Sequence, residues 1–201
     1  MPRTDARGGP QTRARISQIA TRLFLDQGFD AVTVADVARE AGVSTVTVFK
    51  HFPRKEDLLL DRADDAVQLL RSAVRDRPAG TGVLDSLEAM VLRLAEDGHG
   101  LSGTSVESVP FFRTVARSTP LIARARELAA ELQQVLADEL DRDPGFDGDS
   151  TLLAAFFIAG YTTVLVDNAR RHLVGEASTA IALHHRQRLG QLFRTLRNAV
   201  R

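Results

Sequence analysis

The sequence predicts an all-α chain of about nine helices, and three observations carry that reading. Glycine and proline recur at intervals of helical length: Gly28, Gly42, Pro53, the 78–82 stretch, the 98–103 stretch, Pro120, Pro144-Gly145 and Gly175. Between them the apolar residues repeat at helical spacing. Only Thr45-Val46-Thr47-Val48 alternates like a strand, and a strand with no partner leaves its backbone groups unpaired.

The elements follow in order. Ile16, Ile19, Ala20, Leu23 and Phe24 fall at i, i+3, i+4, i+7 and i+8, an amphipathic helix over 12–27. Residues 1–11 are polar and glycine-containing, which predicts a disordered tail with no signal peptide. Further helices are expected at 34–41, 45–52, 55–77, 82–97, 106–117, 120–141, 150–173 and 178–200. Ser118 is expected to cap the helix that has Pro120 in its first turn. The run from Thr151 to Val166 is apolar all round, which reads as a buried core helix and not a membrane span. Leu189, Leu192, Phe193, Leu196 and Val200 stripe the last helix.

Composition bounds the function. Hydrophobic residues make up 44% and charged residues 26% of the 201, the balance of a soluble globular chain. There is no cysteine, so neither a disulfide nor a thiolate metal site is possible, and a reducing cytoplasm fits. Net charge is zero but unevenly placed: residues 1–54 carry eight Arg/Lys and five Asp/Glu, or +3, which leaves −3 for the rest. That asymmetry suits a DNA-binding head on an acidic body.

From Thr33 to Leu58 the chain has the parts of a helix-turn-helix. Thr33 caps a first helix, with Asp36 in capping-box position. Val37, Ala38 and Ala41 form a small inner face, Gly42 ends the helix in a left-handed turn, and Ser44 caps the next. Val48 and Phe52 face inward at i, i+4. Thr45, Val46, Thr47, Phe49, Lys50 and His51 then point elsewhere, a set of short hydroxyls, one methyl-rich side chain and two potential cations that suits a major groove. An ordinary helical hairpin with exposed threonines is the competing reading.

Ala41-Gly42-Val43-Ser44, Thr47, an aromatic at 49, His51-Phe52 and Lys55-Glu56, preceded by Arg13, Ile16, Ala20, Leu23, Phe24 and Gly28, resemble the head of the tetracycline-repressor (TetR) family over residues 12–60. The resemblance implies a three-helix DNA-binding head over 12–54 and a ligand-binding and dimerisation body over 55–201. It implies that Thr33, Thr47, His51 and Lys55 hold phosphates, that Thr45, Val46 and Lys50 meet base edges, and that Arg13, Ser44 and Phe49 belong to the same DNA-binding set. Position 46 is often glycine in the family and position 49 usually tyrosine, so Phe49 lacks a hydroxyl donor.

The resemblance further implies a homodimer through the last two helices and double-stranded DNA with a palindromic operator as partner. The effector would be a small molecule, and repression the default. A hydrophobic ligand is expected among Met90, Leu94, Phe111, Phe112, Phe156, Phe157 and Tyr161, with Tyr161 or Arg113 as polar handles. A helical small-molecule-binding or interaction protein without DNA binding is the runner-up.

Enzyme signals are weaker. Gly98-His99-Gly100-Leu101-Ser102-Gly103 fits GxGxxG but follows a helix, and Glu96-x-x-His99 is half of a di-iron signature. His184 and His185 face different ways on the last helix. No catalytic residue, metal or cofactor is expected.

Overall fold

A computed structural model describes residues 9–199. Nine α-helices run along them: α1 (Gly9–Gln27), α2 (Val34–Glu40), α3 (Thr45–His51), α4 (Ala63–Arg75), α5 (Val83–Glu96), α6 (Val109–Ala116), α7 (Thr119–Asp141), α8 (Ser150–Leu173) and α9 (Ser178–Ala199). No strand occurs among the described residues, and Thr45 to Val48 is helical because tertiary packing of Val48 outweighs its β-branched propensity. Of the expected N-terminal tail, residues 1–8 lie outside the described residues and 9–11 belong to α1. Val200 also lies outside them.

Two compact units emerge, one of residues up to 61 with 113–124, the other of 62–112 with the rest. The helix expected from 55 to 77 is interrupted. Glu56–Leu58 forms only a 3-10 turn, and α4 starts at Ala63. Two acidic side chains of this segment are engaged by other residues. Asp57 accepts the Arg54 amide at 3.3 Å and the Arg124 side chain at 2.8 Å, and Asp61 accepts the Ser17 hydroxyl.

The first unit closes on Ile16, Ala20 and Phe24 of α1, packed with Phe29, Val37, Val48 and Phe52, all buried. Phe24 and Phe29 meet with ring centroids 5.0 Å apart. Gly28 (φ 89°) and Gly42 (φ 63°) take left-handed conformations after α1 and α2, where a Cβ would be strained.

The core of the second unit joins Leu87 and Val91 of α5, Leu136 and Leu140 of α7, Leu153 and Phe157 of α8, and Leu189 and Phe193 of α9. Gly160 lets α9 approach closely, since a Cβ there would overlap Leu192. Glu139, 3% exposed, is held by Arg75 through two hydrogen bonds, one of 2.7 Å, and by Arg71 at 3.4 Å. The α9 stripe is therefore spent inside the protomer: Leu189, Phe193 and Leu196 are buried there. α8 is long and apolar enough by length and composition to cross a membrane, but its Leu153, Ala154, Phe157 and Ile158 are buried in this core.

Ser118 departs from its expected role. Its carbonyl accepts the Ile122 amide at 3.0 Å, yet its buried Oγ makes no hydrogen bond among the described residues. Pro120 lacks an N–H, which removes one of the two amides a cap hydroxyl usually accepts from.

Candidate functional site

The capping box of α2 is complete. Thr33 Oγ1 accepts the Asp36 amide at 3.1 Å, and Asp36 Oδ2 accepts the Thr33 amide at 3.0 Å and the Thr33 hydroxyl at 2.6 Å. The hydroxyl, the amide and Arg39 beside it hold the Asp36 carboxyl down at about 2. Ser44 caps α3, its Oγ accepting the Thr47 amide at 3.1 Å and lying 2.9 Å from Thr47 Oγ1. Both helices are only seven residues long, too short to persist alone, so caps and packing hold them.

That rigid pair fixes what α3 shows to solvent. Val48 and Phe52 are buried, at 0% and 1% exposed. Thr45, Val46, Phe49 and Lys50 are exposed, and the 45/49 and 46/50 pairs, each i, i+4, put all four on one face. Val46 is 76% exposed and Phe49 49%, so both apolar side chains lie open on that face. Thr47 and His51 are half-buried beside that face, and Ser44 and Thr33 are exposed.

Two expected contacts have a second attachment. The Arg13 guanidinium lies 4.6 Å from the centroid of the Phe52 ring. Lys55 Nζ donates to the Phe29 carbonyl at 2.6 Å.

The expected lining residues differ in burial. Met90, Leu94 and Phe157 are buried, and Tyr161 stacks on Phe157 with centroids 6.1 Å apart. Phe111 and Phe112 meet edge to face at 5.8 Å. Phe156, 50% exposed, turns away from its neighbour Phe157, because adjacent helical residues point in directions about 100° apart. Arg113 is exposed and belongs to the first unit. The Tyr161 hydroxyl already donates to the Leu101 carbonyl at 2.9 Å, and burial pushes its pKa up. A separate open groove of about 610 Å³ is lined by Thr162, Thr163, Val166, Asp167, Arg170, Arg171, His184 and Arg188.

Burial of Asn168, His172 and His185, at 0%, 5% and 1% exposed, was not expected from the sequence. His184 is separate from them, 2.6 Å from Asp167. The glycine-rich 98–103 stretch is a loop with Gly98 and Gly103 left-handed and a 3-10 turn at Gly100–Ser102. His99 caps that turn, accepting the Leu101 amide at 3.2 Å.

A capped helix, a tight glycine turn and a second short helix with an exposed polar and methyl-bearing face define a helix-turn-helix DNA-binding regulator. Residues 16–61 match the family described as "Bacterial regulatory proteins, tetR family". The chain is 27% identical over 157 residues to the HTH-type transcriptional regulator TcmR of Streptomyces glaucescens, covering 77% of this chain and 70% of that one. It is also 27% identical over 152 residues to the nucleoid occlusion factor SlmA of Escherichia coli, 72% of this chain and 75% of that one. Among solved structures, the TetR-family repressor FadR of Thermus thermophilus, in complex with lauroyl-CoA, is similar with a TM-score of 0.56 at 26% identity, 92% of each chain being covered. GusR of Salmonella enterica shares the fold, with a TM-score of 0.58 at 18% identity over 94% of this chain and 95% of that one. Residues 16–61 carry the family's DNA-binding head, and the relatives and solved structures together support a TetR-family transcription regulator.

Proposed function

We propose that this protein is a cytoplasmic, homodimeric repressor that holds a palindromic operator and is released from it by a small hydrophobic ligand, without catalysing a reaction. The single observation that carries DNA reading is the exposed face of α3, where Thr45, Val46, Phe49 and Lys50 lie together on a helix fixed from behind by Val48 and Phe52. Val46 packs on thymine methyls, and Thr45 and Lys50 bond base edges. Thr33, Ser44, Thr47, His51, Lys55 and Arg13 flank that face and hold phosphates or the residues that do.

Dimerisation rests on α8. Leu152, Phe156, Ala159, Thr163 and Val166 are all exposed and fall at i, i+4, i+7, i+11 and i+14, the spacing of a helix seam. Leu183 of α9, 58% exposed, adds to it. Two-fold pairing covers this surface and presents two heads to one inverted repeat. Ligand release then needs only that the ligand prefer the conformation that fits the operator less well.

Selection of bound sequences from random duplex DNA tests the reading. An enriched inverted repeat is expected; recovery of no enriched sequence would contradict it.

A further inference from the structure

Asn168, His172 and His185 bury more hydrogen-bonding capacity than the second unit satisfies. Asn168 stands one turn before His172, so the two share a face of α8. The Asn168 amide nitrogen lies 3.4 Å from the Ser102 carbonyl oxygen and 2.8 Å from His185 Nδ1. A carbonyl oxygen only accepts, so the group facing Ser102 is the NH2. Its other hydrogen points to His185 Nδ1, which must therefore be bare. In a neutral imidazole the proton then sits on Nε2. Burial keeps the ring neutral, lowering its pKa to about 4.

Three atoms are left over. His185 Nε2–H finds no acceptor, Asn168 Oδ1 no donor and His172 Nε2 no partner among the described residues. Buried polar groups are ordinarily paired, and three orphans in one helical turn and its bonded neighbour need an explanation. Beside them the surroundings are apolar. Phe112 stacks on His172 with centroids 6.0 Å apart, and the Gly103 backbone comes so near that a Cβ there would lie 3.3 Å from Leu165 and 3.5 Å from Phe112.

We infer that Asn168, His172 and His185 form the polar end of a binding site for an uncharged, hydroxyl-bearing hydrophobic molecule. Its hydroxyl donates to Asn168 Oδ1 and accepts from an imidazole N–H. This rests on the ligand-responsive reading above and specifies the ligand's class. A hydroxyl is the smallest group that both donates and accepts. A carboxylate brings no proton for Asn168 Oδ1 and sets an unpaired charge beside it. A ketone or ether lacks the donor. Coordination of a cation by His185 Nε2 requires the opposite tautomer.

The test uses the full chain without DNA, so its failure and a failure of operator binding are told apart. Binding of 2-naphthol, naphthalene and 2-naphthoate is measured by calorimetry on the parent, Asn168→Leu and His172→Leu. The expected result is binding of 2-naphthol at least about tenfold tighter than either analogue, a preference lost in both variants. On the unmodified protein, imidazole nitrogen NMR is expected to show the Nε2 signal of His185 or His172 moving with 2-naphthol and not with naphthalene. Equal binding of the three probes, no binding, unmoved imidazole signals, or a preference retained in a folded variant overturns the inference and leaves the orphan atoms to ordered water.

Discussion

The ammonium of Lys55 donates to the carbonyl of Phe29 at 2.6 Å and stands 4.3 Å from the centroid of that residue's ring. One of its three N–H donors thus ties the turn after α1 to the segment after α3, and two stay available to a phosphate. Lys55→Ala is expected to weaken binding by a similar factor on every DNA and to lower the salt slope by about one per half-site. The same change removes a charged hydrogen bond, worth about 1.5–3 kcal/mol of stability. Titrations at two salt concentrations and a urea melt check both halves; a changed base preference contradicts the assignment.

Phe49 is half-exposed on the reading face, so a hydroxyl added to its ring meets solvent or phosphate and not the core. Phe49→Tyr is expected to tighten binding by about 0.5–3 kcal/mol on all sequences, the contribution of one hydrogen bond to a neutral or charged acceptor. Competition between the two proteins on the selected operator and on random duplex measures it. Tightening on one sequence alone contradicts a phosphate contact.

The head was legible because its signals are local. Thr33-x-x-Asp36, Gly42 and Ser44 each fix a cap or turn within four residues, and the structure shows every one of them in place. The body was less so, because helical spacing says which residues share a face and not which face meets what. Phe156 and Phe157 look alike in sequence, yet one is outside and the other inside. The buried polar residues did carry a signal: His185 lies four residues before Leu189 on the α9 stripe, and Asn168 and His172 continue the α8 face of Val164. A polar residue in step with an apolar stripe is a candidate buried group. The helix break at 59–62 had no such signal, and the partners of Asp57 and Asp61 beside it, Arg124 and Ser17, lie far off in sequence.

His185 makes stability depend on pH. Its pKa, 6.5 when unfolded, falls to about 4 in the fold through burial and the neighbouring His184. Between those values the unfolded chain binds a proton that the folded chain refuses, so stability declines as pH drops from 6.5 to 4. The loss from this group is up to about 3 kcal/mol and levels off below the window. Asp36, held at about 2, acts only at lower pH, where its contribution is lost as the carboxylate protonates. Urea melts at pH 7, 5.5 and 4.5 are expected to show the decline in the parent and a shallower one in His185→Gln. Equal slopes contradict a neutral buried ring.

Phe156→Asp sets a charge in the middle of the proposed α8 seam, at a side chain that is half-exposed in the protomer. At a buried interface the unpaired carboxylate costs several kcal/mol, on the order of 3–5. Sedimentation at micromolar concentration is expected to show a dimer for the parent and a folded monomer for the variant. A parent that sediments as a monomer rules out the pairing.

If the exposed face of α3 reads bases while its flanks hold phosphates, Thr45 and Val46 set base preference. The most direct measurement compares Thr45→Ala and Val46→Ala with the parent on the selected operator, on each single-base variant of it and on random duplex. Each substitution is expected to change the ranking of base variants at one position of the half-site, by about 1–3 kcal/mol, with little change on random duplex. Should both substitutions instead weaken all these DNAs by one common factor, α3 does not lie in the groove as assigned.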